Sequence, residues 1–253
     1  MTDDKDSMSS LARGLLVLEV ISTEQPIGVG ELSRLIDLPK SSVQRALRTL
    51  AESGWIDSTD ERQTRWFLSR KVRTIGHRAG GDPSLLQAAV PHLHWLRDQT
   101  QETIHFGVPV DERQMVVLDR VDSTRSVRTF MAIGTVIPLH ATASGKAVLA
   151  TWTEARLDAY IRAGLDPMTP TTITSEAKLR HELDVAREKG YAANFGENRE
   201  GVFAIGSAGV SHRDRTNAAI SISMPESRYD AGRVEEWGAL ARETIARIEA
   251  ALH

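Results

Sequence analysis

The chain has 253 residues, a formal net charge of −3, 41% hydrophobic and 26% charged residues, and no cysteine. That length suits two domains of ordinary size, and the absent cysteines exclude disulfides, thiolate chemistry and cysteine-ligated zinc. There is no run of about 18 apolar residues, and the opening MTDDKDSMSS lacks the apolar core of a signal peptide, so a cytoplasmic protein without membrane contact is expected.

Residues 9–23 (SSLARGLLVLEVIST) read as a first helix, with Leu11, Leu15, Leu18 and Ser22 on one face, broadened by Leu16 and Val20, completing a three-helix core. The stretch from Ile27 to Gly54, IGVGELSRLIDLPKSSVQRALRTLAESG, then reads as a short helix, a tight turn and a second helix. With Val43 taken as zero and about 100° per residue, Ala46, Leu47 and Leu50 fall within about 60° of it. Ser41, Gln44, Arg45 and Arg48 fall at about 100–200°, on the opposite side. The apolar stripe can pack on the preceding helix, and the other face offers hydroxyl, amide and guanidinium groups suited to base edges and phosphates. Lys40 and Ser41 stand at the helix start, where positive charge, N–H groups and a capping oxygen suit a phosphate. An amphipathic helix that merely faces water is the competing reading.

The residues just after this helix favour nucleic acid. Trp55–Ser58 has strand character, Thr59–Gln63 is a polar turn, and Arg65–Leu68 is strand-like again, which makes a winged helix-turn-helix. Arg62 would lie at the wing tip and Arg65 just past it, each placed to touch phosphate. Between Leu38 and Ile75 eight basic residues face four acidic ones, giving +4 there and −7 for the rest of the chain. Such asymmetry fits a basic DNA-facing unit on an acidic body.

A break is expected at 76–83, GHRAGGDP, and then a helical stretch that Pro91 must kink or restart. ETIHFGVPV and QMVVLDRV around Asp111–Arg113 read as an antiparallel hairpin, with a third strand near Ser126–Met131. Residues 143–151, 153–163 and 175–189 read as helices, with Ser175 an N-cap and Gly190 a stop. GVFAIGSAGVS and NAAISISM form a second hairpin across His212–Thr216. A last helix over about 227–251 buries Val234, Trp237, Ala241, Ile245, Ile248 and Leu252. Segregated strands and helices give an α+β class.

Taken together, these residues resemble an IclR-type transcription regulator. LPKSSVQRALRTLAESGWI is similar to the family's recognition helix, and PHLHWL, RVDS, IPLHATASGKAVLA, EKGYAANFGENREGV and AAISISMP keep the order of its effector domain. The similarity spans residues 10 to 250. The resemblance implies a winged helix-turn-helix DNA-binding domain over 1–75, a linker helix over 76–100, and a GAF-like antiparallel-sheet effector-binding domain over 101–253. It also implies homodimers or dimers of dimers on DNA. The family's effector pocket carries over to the N–H groups of Ala143 and Ser144, to Asn194, Ala204, Ser221 and Ser223, and to wall positions Ile137 and Thr129. Relatives commonly hold aspartate at the position of Asn194 and cysteine at that of Ala204; losing the aspartate's charge should make an anionic ligand better tolerated. A Ser-Ala-Gly run at 207–209 replaces the usual proline-containing stretch. Asp37 takes an inter-helix turn position where relatives usually have glycine, and aspartate tolerates left-handed geometry better than most residues.

Catalysis finds little support. Gly145-Lys146 is followed by Ala147 where a phosphate loop needs Ser or Thr, and His140 stands where its first glycine should be. Ser144 with Lys146 could form a nucleophile pair, but Lys146 on a helix surface is the simpler reading. His92 and His94 would point about 200° apart on a helix, which disfavours a shared metal. The expectation is therefore a non-enzymatic, cofactor-free regulator that binds an operator duplex and a small organic acid. The DNA readers would be Lys40, Ser41, Ser42, Gln44, Arg45, Arg48, Arg62 and Arg65. The alternative is a small-molecule-binding or catalytic domain with an N-terminal protein-interaction module.

Overall fold

A computed structural model describes residues 9–59, 63–78, 83–210 and 217–252. The chain divides into two compact units, Met1–Gly81 and Asp82–His253.

In the first unit α1 (Ser10–Glu24) begins at Ser9, whose hydroxyl accepts the N–H of Ala12 at 3.1 Å. It is followed by β1 (Ile27–Gly28), α2 (Val29–Leu35), α3 (Lys40–Glu52), β2 (Ile56–Ser58), β3 (Arg65–Leu68) and α4 (Arg70–Arg78). The strands form an antiparallel sheet in the order β1-β3-β2. Val17 and Ile21 of α1, Leu32 of α2 and Val43 and Leu47 of α3 share one core. This corrects the expected face of the first helix. Leu11 and Leu15 are 71% and 51% exposed, while Leu16, Leu18 and Val20 pack partly against the core that Val17 and Ile21 enter. The α2–α3 turn passes through Asp37 at φ 51°, the left-handed geometry expected of it. Helix α4 continues through Gly76, inside the expected break, and 79–82 fall outside the described residues.

The second unit opens with α5 (Pro83–Thr100), which contains Pro91 without ending there. Next come β4 (Thr103–Pro109), β5 (Gln114–Val121), β6 (Val136–Pro138), α6 (Ala143–Ala150), α7 (Glu154–Arg162) and α8 (Glu176–Lys189). Then β7 (Ala192–Phe195), β8 (Val202–Val210) and β9 (Asn217–Pro225) lead to α9 (Val234–Ala251), and the turn at 211–216 lies outside the described residues. Six antiparallel strands run β6-β5-β4-β9-β8-β7. Alternation sends Ile104, Phe106, Ile220 and Ile222 to one side, where Leu93, Leu96, Trp237 and Ile248 of α5 and α9 cover them. On the other side Met115, Val117 and Ala219 pack with Val148, Leu157, Leu179 and Leu183 of α6, α7 and α8. Helices on both faces of an antiparallel sheet give the expected α+β, GAF-like arrangement.

The strand expected near Ser126–Met131 does not form. Side chains satisfy its backbone instead of a neighbouring strand: His105 accepts the Met131 N–H, and Arg120 and Arg228 donate to the carbonyls of Met131 and Val127. Residues 122–135 therefore form an irregular strap, and the strand that pairs with β5 is β6.

Candidate DNA-facing helix and effector pocket

Helix α3 turns Val43 and Leu47 inward and leaves Lys40, Ser41, Gln44, Arg45 and Arg48 exposed, with Ser42 half-buried at the edge. Among the described residues Lys40, Arg45 and Arg48 are in no ion pair. The N-cap position is Pro39, which offers no side-chain oxygen, and Ser41 already lies inside the helix. The first N–H groups thus lack an intrahelical acceptor, and no hydroxyl competes for an anion there. Arg62 lies outside the described residues. Arg65 is committed within the unit, donating to the Pro26 carbonyl at 2.9 Å and to both Glu31 oxygens at 3.2 and 3.3 Å. It stitches the returning wing strand to α2, with its side chain still 37% exposed.

The second site grows from the sheet face under α6. Pairing aligns Asn194, Ala204, Ser223 and Thr103 in one row, and Gly206, Ser221, His105 and Arg120 in the next. Small residues in the β8 positions let the N-terminus of α6 descend onto the sheet: a Cβ on Gly206 would lie 2.6 Å from the Ser144 nitrogen. Thr142 caps α6 by accepting the Gly145 N–H at 3.1 Å. The result is a pocket enclosing about 490 Å³, open mouth included, that brings together Thr129, Ala143, Ser144, Asn194, Ala204, Ser221 and Ser223. The strap closes one side, with Thr129 Oγ1 3.2 Å from Ser223 Oγ.

Ile137 is not among the lining residues, contrary to expectation. Its register with Met115 puts it in the row of Pro109, two pleats beyond His105, where it packs under α6 with Leu139 and Val148. Asn194 spends its amide donor on the Ala141 carbonyl, a contact that an ionised aspartate could not make. The pocket also contains His105, Phe130, Met131, Asn198 and Arg199, which sequence reasoning missed. The alternation of Thr103 and His105 in ETIHFGV was the available signal, but only the pairing with Ser223 and Ser221 gives it meaning.

Lys146 is fully buried rather than on a helix surface. Its ammonium donates to Glu197 Oε1 at 2.7 Å and lies 3.4 Å from Glu182 Oε2. Burial pushes the Glu197 carboxyl above the usual range, against the pull of Lys146. The pair ties α6 to the loop carrying Asn198 and Arg199. His140 locks the turn before α6, with Nδ1 2.9 Å from the Tyr160 hydroxyl and Nε2 3.0 Å from the Asp166 carbonyl. Burial holds its pKa below the ordinary value. Among the described residues no cluster of acids and histidines is suited to a metal ion, and no helix is long and apolar enough to cross a membrane.

Two family models match this chain: the IclR helix-turn-helix domain over residues 10–60, and the bacterial transcriptional regulator IclR C-terminal domain over residues 81–250. The HTH-type transcriptional regulator KdgR of Escherichia coli is 32% identical over 97% of this chain and 93% of its own length. The crystal structure of the Thermotoga maritima IclR superposes with a TM-score of 0.77 at 26% identity, over 96% of this chain and 98% of that one. An IclR homologue from Microbacterium hydrocarbonoxydans, crystallised with 4-hydroxybenzoate, superposes with a TM-score of 0.79 at 23% identity, over 96% and 99%.

Proposed function

Because the chain belongs to the IclR family of transcriptional regulators, a DNA-binding and not an enzymatic family, we propose that two copies set their α3 helices in successive major grooves of a palindromic operator, and that a small carboxylate in the α6 pocket modulates this binding. The observation that carries the DNA half is the outward face of α3, where Arg45 and Arg48 are exposed and in no ion pair among the described residues. Gln44, Arg45, Arg48, Ser41 and Ser42 reach bases or phosphates in this reading, while Lys40 and Arg62 hold phosphates. For the effector, the support is the N-terminus of α6, whose N–H groups at Ala143 and Ser144 border a pocket with the Ser221 hydroxyl on its floor. The M. hydrocarbonoxydans homologue holds 4-hydroxybenzoate, itself a carboxylate.

Fluorescence anisotropy on duplexes from the gene's own upstream region tests the first half. Arg45→Ala should weaken binding by about 1–3 kcal/mol, and unchanged affinity removes Arg45 from the interface. For the second half, a panel of organic acids should raise the Tm through preferential binding to the folded state. No shift from any acid, or a shift that survives Ser221→Ala, overturns the pocket as drawn.

A further inference from the structure

The strap beside the pocket is tied to the sheet differently along its length. At its start the Ser123 N–H donates to Thr103 Oγ1 at 3.2 Å, and the Ser123 hydroxyl donates to the Gln101 carbonyl at 2.7 Å. At its far end Gly134, at φ 88°, turns the chain back onto β5. There the Gly134 N–H donates to the Val117 carbonyl at 2.8 Å, and the Val117 N–H donates to the Thr135 carbonyl at 2.9 Å. Between these ends lie Thr129, Phe130 and Met131, which line the pocket. Among the described residues, the backbone of 126–131 bonds only to side chains. Arg228 Nη1 donates to the Val127 carbonyl at 2.7 Å, Arg120 Nη1 donates to the Met131 carbonyl at 2.8 Å, and His105 Nε2 accepts the Met131 N–H at 3.0 Å. One more contact joins Thr129 Oγ1 to Ser223 Oγ on the sheet, 3.2 Å away.

Both guanidinium groups are themselves held by carboxylates. Buried Glu102 accepts Nε and Nη2 of Arg228 at 2.7 and 2.5 Å, and Asp122 Oδ1 lies 2.5 Å from Nε of Arg120. The strap buries little apolar surface in return, since Val127, Phe130 and Ile133 are exposed. A segment with few buried apolar contacts and no strand partner opens at lower cost than the strands beneath it. We propose that the strap between Ser123 and Gly134 is the gate of the pocket: it lifts from Ser223 to let a molecule in or out, and the Arg228–Glu102 and Arg120–Asp122 pairs set how often it lifts. The inference rests on the pocket being the effector's seat, and not on the effector's chemistry. Arg228 holds the buried carboxylate and the strap carbonyl with one planar fork, which the point charge of a lysine cannot do. Arg228→Lys therefore keeps the charge beside Glu102 and loosens the gate.

A chain without cysteine allows the gate to be tested with no ligand at all. Ser221 stands on the pocket floor, whereas its neighbour Ile222 lies on the opposite face of the sheet, in the core under α5 and α9. Ser221→Cys thus places a single thiol behind the strap, and Ile222→Cys a single thiol that only unfolding exposes. Iodoacetamide alkylation of the full-length, ligand-free proteins is followed by mass spectrometry, with and without Arg228→Lys. The Ser221→Cys thiol should react about tenfold or more faster than the Ile222→Cys thiol, and Arg228→Lys should raise the ratio of the two rates by about fivefold or more. An unchanged ratio overturns the gate, whether Arg228→Lys speeds both thiols alike through global stability or speeds neither. Hydrogen exchange on the wild type gives a readout that needs no variant to fold. The Met131 amide should exchange about tenfold or more faster than the hydrogen-bonded amides of β4 and β9, and a Met131 amide as slow as theirs also overturns the gate. Neither measurement contains an acid, so a failed gate leaves the carboxylate reading standing. A panel of acids that all fail to bind would fell that reading and leave the gate to be judged on these rates.

Discussion

At the scale of single residues, Lys146 and His105, two of the ionisable side chains buried in the second unit, behave differently. Lys146 is buried but compensated, with Glu197 and Glu182 as partners. Removing one member of such a pair leaves the other charge stranded, which costs about 3–5 kcal/mol even where the intact pair adds little net stability. His105 is buried and stays neutral, because burial and the Arg120 charge outweigh the pull of Asp122 and lower its pKa from 6.5 to about 4. Between those two values the unfolded chain binds a proton at this site and the folded chain does not. Stability is therefore fully present above pH 6.5 and is lost as the pH falls toward 4. The gap corresponds to about 3 kcal/mol. Urea unfolding across that range should show wild type losing about this much more than His105→Gln, and parallel pH profiles for the two proteins would show that the ring is charged in the fold.

At the scale of elements, the site depends on one close approach, that of the α6 N-terminus to β8. Gly206 allows it, and a methyl group there would stand 2.6 Å from the Ser144 nitrogen and 2.7 Å from the Ala143 carbonyl carbon. Gly206→Ala should destabilise the protein by about 1–3 kcal/mol through overpacking and abolish the Tm rise given by any active acid. A variant as stable and as responsive as wild type would mean that α6 does not rest on β8. Sequence periodicity made α3 legible because its two faces differ sharply in chemistry. It failed for α1, where Leu11 and Leu15 are as apolar as Val17 and Ile21, and only the last two enter the core. It failed again at Ser126–Met131, an alternating run whose backbone is satisfied by Arg120, Arg228 and His105 instead of a strand. Lys146 looked like a surface residue because its partner Glu197 lies 51 positions away. His105 was invisible for the same kind of reason, since cross-strand register cannot be read from one strand alone.

At the scale of the whole molecule, charge is distributed unevenly: +4 over residues 38–75 and −7 over the rest. An acidic body attached to a modestly basic reader weakens non-specific attraction to phosphate, so affinity has to come from local contacts used more than once. The number of copies engaged then becomes measurable through salt. Each phosphate neutralised contributes about −0.9 to the slope of log Kobs against log salt. Lys40, exposed at the first turn of α3, is assigned a phosphate and no base. Replacing it with glutamine deletes one contact per copy while leaving the apolar side of α3 intact. If two copies read the operator, Lys40→Gln should make the slope shallower by about 1.8, with a similar loss of affinity on every operator variant. A change of about 0.9 would mean that a single copy makes the contact. No change at all would take the start of α3 away from the DNA backbone, and with it the orientation of the recognition helix on which the paired-groove arrangement depends.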